Sequence, residues 1–329
     1  MPSQYAAAYA NPQGAGDARP TADQIIQDEG VAGQWKGRVI LITGASAGIG
    51  IETARALAKT GATLYLAQRS PDKTKAALGD LLASGQAHLL HLEMESLESV
   101  RQCASEFLSK ETKLHVLICN AGVMMTPEGR TVDGFETQIG VNHLAHFLLI
   151  QLLKDALIAA STPDFNSRLI ILSSSAHRDG EVDFKNINLE GAYDPFKAYT
   201  ASKTACVWTA NHFERLYGSK GVHAWSVNPS VVRTSLGRFM GEENIAAAFE
   251  NEEVVKENRS VPQGAAPTVW AATAKQLEGK PGQYVENCDI PGPWDRQTGH
   301  YGPGYCEWTY DEEKERRLWA LSMQMVGLA

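Results

Sequence analysis

The sequence predicts an α/β fold: one domain built on a doubly wound parallel sheet of about seven strands, with helices on both faces. Three observations lead there. Short apolar runs of strand length recur along the chain, with helix-length segments between them. A glycine-rich turn, TGASAGIG, separates the first run from the helical segment after it. Gly44, Arg69, Asn120, Ser174 and Asn228, the residues richest in chemical content, fall at or near the carboxyl ends of the runs. An open α/β sheet binds its ligands at those ends.

The elements follow in order. Residues 1–20 are rich in Ala, Gln, Gly and Pro and read as a disordered arm. Residues 21–37 form a lead-in with a short helix, TADQIIQDEG, which Thr21 caps and Gly30 ends. The body runs over 38–287. VILIT (39–43) is its first strand, and the helix over IETARALAKT ends at Gly61. ATLYLA (62–67), AHLLHL (87–92) and LHVLICN (114–120) are the next three strands. A long helix covers roughly 133–159, and RLIILS (168–173) is the fifth strand. A helix over roughly 198–217 leads to VHAWSVN (222–228), and GQYVEN (282–287) is the seventh strand. Residues 288–329 form an extension with Trp294, Tyr301, Tyr305, Trp308 and Trp319, suited to packing, to closing an apolar pocket or to an oligomer interface.

Bulk properties narrow the function. The chain has 329 residues, 43% hydrophobic and 21% charged, with a net charge of −8, which suits a soluble globular protein with a large core. No basic face marks a nucleic-acid binder, and no basic cluster marks an anionic membrane surface. The apolar stretch HLAHFLLIQLLKDALIAA contains Lys154 and Asp155, so it reads as a buried helix with no membrane insertion. The first twenty residues lack the apolar core of a secretory signal. Five cysteines without CxxC spacing read as reduced thiols, and a cytoplasmic location is expected. His143 and His146 share a helical face, but no cysteine or carboxylate pattern completes a ligand set, so no metal is expected.

Two motifs carry chemistry. Gly44, Gly48 and Gly50 allow a tight turn and close approach of a pyrophosphate, and the following helix N-terminus offers free N–H groups. In AYTASK, Tyr199 and Lys203 stand four apart, on one face of a helix. A cation one turn from a phenol favours the ionised form that acid–base catalysis needs.

With CNAG (119–122), VNHLAHF (141–147) and ILSSSAH (171–177) between them, these motifs run in the order of the short-chain dehydrogenase/reductase family, over about 36–230. The sequence resembles that family. VNHLAHFLL, SSSAHRDG and the long gap before AYTASK are similar to the branch of retinol dehydrogenases and WW-domain-containing oxidoreductases, and fungal biosynthetic reductases are similar too. The resemblance implies a Rossmann fold and hydride transfer between a nicotinamide and a small-molecule carbonyl or alcohol. It makes Tyr199 the acid/base, and Ser174, with Ser175 as the alternative, the group that positions the substrate oxygen. Lys203 supports the tyrosinate and binds ribose, and Asn142 holds a water that links Lys203 to solvent. His177, just past the serines, is expected in the substrate pocket together with Ser175.

The implied cofactor contacts are Gly44, Ser46, Gly48, Ile49 and Gly50 in the turn, and Arg69 after the second strand. Glu93 and Met94 follow the third strand, where the family usually has Asp. Asn120, Ala121 and Gly122 follow the fourth, Asn120 also tying the central strands together. Tyr199 and Lys203 contribute from the helix, and Pro229, Ser230, Val232 and Thr234 from the segment after the sixth strand. Pro229–Ser230 stands where the family usually has Pro-Gly, and a substrate loop is expected at about 230–260. Gln68 is neutral and Arg69 follows it, so NADP(H) is expected over NAD(H). A homodimer or homotetramer through the long helices is the family's usual assembly. The rival readings are a retinol-type alcohol dehydrogenase, an epimerase or dehydratase, and a non-catalytic dinucleotide sensor. The last would be expected to lose Tyr199 or Lys203.

Overall fold

β1 (Val39–Thr43) shows how the sheet is built. Ile40 and Ile42 enter one core with Leu64, Ile118 and Val227, whereas Val39 and Leu41 enter another with Phe107, Leu148 and Leu169. Successive strand residues point to opposite faces, and both faces are covered, so the run is apolar throughout. The other strands are β2 (Thr63–Gln68), β3 (Ala87–His91), β4 (Val116–Cys119), β5 (Ser167–Leu172), β6 (Val222–Asn228) and β7 (Tyr284–Glu286). In this computed structural model, which describes residues 2–329, they form one parallel sheet in the order β3-β2-β1-β4-β5-β6-β7. The order reverses between β1 and β4, which opens a crevice beyond their carboxyl ends.

The helices are α1 (Ala6–Tyr9), α2 (Ala22–Asp28), α3 (Ile49–Ala58), α4 (Pro71–Ala83), α5 (Leu97–Lys110) and α6 (Ala145–Ala160). After them come α7 (Pro195–Tyr217), α8 (Glu242–Ala248), α9 (Glu252–Glu257), α10 (Val261–Thr273) and α11 (Glu312–Met325). α2, α3, α4 and α10 cover one face of the sheet, and α5, α6 and α7 the other. The long helix expected from 133 begins later. Residues 130–136 form a turn closed by an Arg130–Glu136 bridge, and the helix opens with a π-helical stretch, Ile139–Leu144. The segment Ile139–Ala160 is long and apolar enough to cross a membrane, but 72% of its most apolar window is buried inside this fold.

The arm expected to be disordered is instead docked over residues 2–20. Its composition lacks Val, Ile, Leu, Phe and Trp, but two tyrosines and one arginine find partners elsewhere in the chain. The Tyr5 hydroxyl donates to Asp28 at 3.0 Å, and the Tyr9 hydroxyl lies 3.4 Å from Cys288 Sγ. The Arg19 side chain is 1% exposed. Its guanidinium donates to Asp17 and to the carbonyls of Gly14, Lys256, Glu257 and Asn258. Gln263 Nε2 donates back to the carbonyls of Asp17 and Arg19. Such charge-assisted bonds, with Tyr5 and Tyr9 packed on the core, order a segment that has no large aliphatic side chains to bury.

The loop between β6 and α10 is pinched at its neck, where Arg259 N donates to the Val231 carbonyl at 2.9 Å. Arg19 therefore grips the returning leg of this loop. The C-terminal extension folds back over α7. Trp208 Nε1 donates to the Trp308 carbonyl, Asn211 to Thr309, and Trp319 meets Phe147 edge-on at 4.9 Å. α11 thus lies on the outer surfaces of α6 and α7, the long helices through which an assembly was expected.

Candidate active site

The crevice becomes a cleft of ≈ 360 Å³ walled by the tips of the strands. At its floor, Gly44 has φ +74, and a Cβ there would lie 2.7 Å from Ala121 Cα. Only glycine allows β1 to turn this close to the segment after β4. A Cβ on Gly50 would lie 2.4 Å from the Gly44 carbonyl, so Gly50 lets α3 sit down on the turn from beneath and does not line the cleft. Ser46, Gly48 and Ile49 do line it, with the N-terminus of α3 facing the opening. Asn120 donates to the Thr43 and Gly44 carbonyls at 2.9 and 3.1 Å, tying β4 to β1 as the sequence suggested.

Ser174, Tyr199 and Lys203 line the same cleft. Tyr199 and Lys203 are each 6% exposed, and the ammonium stands 5.6 Å from the phenol ring's centre. Lys203 Nζ donates to the Leu172 carbonyl at 3.2 Å, and Ser173 Oγ donates to the Lys203 carbonyl at 2.9 Å. These bonds fix α7 to the tip of β5. Ser174 Oγ accepts from Ala176 N at 3.2 Å, which leaves its own hydrogen for another acceptor.

Asn142 lies just behind, buried. Its Oδ1 accepts from Val123 N, and both amide hydrogens go to protein acceptors, the Val123 carbonyl and Ser202 Oγ. The side chain braces the segment after β4 against α7, with both amide hydrogens taken by protein acceptors. Its carbonyl accepts from His146 Nδ1 and Cys206 Sγ.

The expectation for Ser175 and His177 is corrected. Neither lines the cleft. Residues Ser175–Arg178 form a 3₁₀ turn that carries the imidazole behind Ser174, where it is 0% exposed. Nδ1 lies 2.7 Å from the Ser174 carbonyl and must donate to it, so Nε2 accepts from Thr309 Oγ1 at 3.1 Å. Burial, helped by the Arg178 charge, pushes the ring's pKa down to about 4 and keeps it neutral.

At the far end, Gln68 ends β2, and its Oε1 is buried without a protein partner. Arg69 stands beside Glu93 at 3.7 Å, and Met94 follows. Two cations that sequence reading missed join them, Lys73 from the first turn of α4 and Arg238 from the β6–α10 loop. Burial lowers the pKa of Arg238, and Arg69 adds to the effect. Lys73 was findable, since it starts the helix that follows the β2 tip; nothing local to Arg238 points to the cleft.

Ala121 and Gly122 border the floor, and Pro229, Ser230, Val232 and Thr234 complete the wall beyond β6. Ser230 holds φ +67, a left-handed conformation, where the family usually has glycine. His143 and His146 bond to Ser322, Thr209 and Thr43. Among the described residues no group of three or more His, Cys, Asp or Glu is placed to hold a metal ion.

A dinucleotide-binding α/β protein is the class that this fold and cleft define. The comparisons give the family. Residues 38–244 match the sequence model of the family described as short chain dehydrogenase, and the chain belongs to that family. It is 46% identical over 326 residues to the short-chain dehydrogenase/reductase prx1 of Penicillium roqueforti, covering 99% of this chain and 96% of that one. Oxidoreductase calI of Penicillium decumbens is 42% identical over 99% of this chain and 98% of its own. Human retinol dehydrogenase 13 is 37% identical over 89% and 85%. Among solved structures, an uncharacterized protein from Mycobacterium paratuberculosis has a TM-score of 0.67 at 30% identity, covering 89% of this chain and 94% of that one. The family consists of oxidoreductases that bind a nicotinamide dinucleotide and act on small molecules. The residues present fit such a cofactor: a glycine turn packed too closely against Ala121 to admit a Cβ at Gly44, a helix N-terminus beside it, and the unpartnered Gln68 and Asn120 oxygens.

Proposed function

We propose that the protein is an NADP(H)-dependent reductase or dehydrogenase that interconverts a ketone or aldehyde with the corresponding alcohol. The observation that carries this reading is the meeting of Ser174, Tyr199 and Lys203 with the glycine turn in one cleft. When bound, the nicotinamide supplies or accepts the hydride. Ser174 gives its free hydrogen to the substrate oxygen and orients it. The Tyr199 hydroxyl protonates that oxygen as negative charge develops, or removes its proton in the reverse direction. Lys203 stabilises the phenolate, and its remaining N–H groups are within the cleft for a ribose hydroxyl. Tyr199→Phe removes one oxygen and keeps the ring. Turnover falls by about 10²–10⁴-fold, the range of positioned acid–base catalysis, while the NADPH dissociation constant stays unchanged. Near-normal turnover would sink the assignment.

The preference for NADP(H) rests on Gln68, Arg69, Lys73 and Arg238, one neutral and three cationic groups at the adenosine end. An acidic residue at the end of β2 would repel a 2′-phosphate, whereas guanidinium groups pair with it. Gln68→Asp with Arg69→Ala is expected to shift preference toward NADH, mainly through the Michaelis constant. A wild type that already favours NADH overturns this reading. A retinol-type alcohol dehydrogenase is the second reading, favoured by the 37% identity to retinol dehydrogenase 13, and a panel of polyene and short-chain aldehydes separates the two. A cytoplasmic location belongs to the same proposal, since all five cysteines are free, and cell fractionation tests it. Assembly through the long helices would have to displace α11, so one chain with its own cover is favoured, which light scattering reads directly.

A further inference from the structure

We propose that Glu286, acting through Asn228, is a positioning residue for the Pro229–Ser230 turn, whose backbone faces the nicotinamide end of the cofactor. The proposal rests on the dinucleotide reading above. Pro229 and Ser230 wall the cleft together with Ser174, Tyr199 and Lys203, at the opposite end from Arg69 and Lys73. Ser230 is not glycine, yet it holds a left-handed conformation at φ +67. A residue with a Cβ pays for that geometry and keeps it only when its surroundings insist.

The insistence comes from one side chain. Ser230 N donates to Asn228 Oδ1 at 2.9 Å. An amide can turn over, and turned over it would present a donor to that donor. Asn228 is held in the useful orientation because its Nδ2 donates to Glu286 Oε1 at 2.8 Å. Asn228 and Glu286 are direct partners in the β6–β7 register, so their side chains leave the sheet together. Both are almost wholly buried, at 2% and 3% exposure.

Glu286 is itself fixed from behind. Its second oxygen accepts from Gly304 N at 3.1 Å, in the C-terminal extension. Its backbone exchanges hydrogen bonds with Asp289 across a turn of two left-handed residues, Asn287 and Cys288. Arg178 and Arg259 are the cations whose charge favours the carboxylate against burial. A buried carboxylate is a costly way to fill space. An acceptor that fixes the Asn228 amide is a specific use for it.

The test separates the two ends of the cofactor. Full-length protein is titrated calorimetrically with NADPH and with 2′-phospho-ADP-ribose, which keeps the adenosine end and the pyrophosphate but lacks the nicotinamide. In Glu286→Gln, NADPH binding is expected to weaken about tenfold, the loss of one or two buried hydrogen bonds, while 2′-phospho-ADP-ribose binding stays within about twofold. Equal loss of both ligands, or loss of neither, overturns the proposal. Asn228→Ala leaves Glu286 bonded to Gly304 and is expected to show the same selective loss. If neither variant folds, the pair serves stability alone and the proposal falls. Adding Ser230→Gly to Glu286→Gln is expected to restore NADPH affinity, because glycine adopts the left-handed turn without a tether; no recovery overturns the proposal. If wild-type protein binds neither probe, the cofactor reading fails first, and this inference with it.

Discussion

His177 and Arg19 are both buried at joints between the α/β body and a terminal segment, and they make those joints in opposite ways. His177 is a neutral ring set against Thr309 and Tyr284, between the Ser174 carbonyl and the C-terminal extension, and its backbone carbonyl accepts from Trp308 Nε1. Arg19 is a charged fork that bonds mostly to backbone carbonyls on the returning leg of the β6–α10 loop. The first joint depends on apolar burial and on a group that titrates. The second depends on a cationic fork held mainly by backbone carbonyls, with the Asp17 carboxylate beside it. The C-terminal joint also touches the candidate catalytic serine directly, whereas the N-terminal joint reaches the cleft only through the loop.

The largest test of this contrast is removal of residues 288–329. Trp208, Phe147 and the His177 turn lose their cover, and Glu286 loses Gly304. The expected outcome is insoluble protein or no cooperative melt; a soluble truncation melting within about 5 °C of the parent, roughly a 1–2 kcal/mol change, would break the comparison. Arg19→Ala comes next. It leaves several buried carbonyls without a donor, a loss on the order of 3 kcal/mol, read as a melting temperature lower by roughly 5–10 °C. An unchanged melt would return the arm to the status of a disordered appendage.

The smallest effect is in pH. The folded protein holds His177 at about 4, against an ordinary value near 6.5, so the unfolded chain takes up the proton first. The stability tied to the neutral ring is complete above about pH 6.5 and is lost as pH falls toward 4. His115, His143 and His146 are also pushed down by burial and share the trend, so the parent is compared with His177→Asn. Urea melts at pH 7 and 4.5 are expected to show a smaller acid loss in the variant, by on the order of 2 kcal/mol. Equal losses would mean that the C-terminal joint does not sense acid through this ring.

Local patterns were legible because their causes are local. β1, the glycine turn and the Tyr199–Lys203 spacing each depend on residues within a few positions, and each lies where the sequence puts it. His177 was misread for the same reason in reverse. Nearness to Ser174 in sequence suggested the pocket, but one 3₁₀ turn sends the ring to the other side, and only Thr309, 132 residues on, shows why. Arg238 joins the adenosine end through the fold of a long loop, and the arm's partners at 256–263 are more than 200 residues away. Composition reports how much apolar surface a segment carries, not whether a distant backbone offers a ring of carbonyls.

The Arg19 grip also sets a schedule for a growing chain. Its acceptors at Lys256, Glu257 and Asn258, and Gln263, which bonds back to it, lie 237 to 244 residues downstream. At about 5–20 residues per second of synthesis, Arg19 waits roughly 10–50 s before any of them exists. β1, β2 and β4 have by then all been made, so Arg19, made ahead of the whole sheet, is among the last residues to find its place. A bulky domain fused ahead of residue 2 would travel with it through that wait, and would have to clear the returning loop before the latch could close.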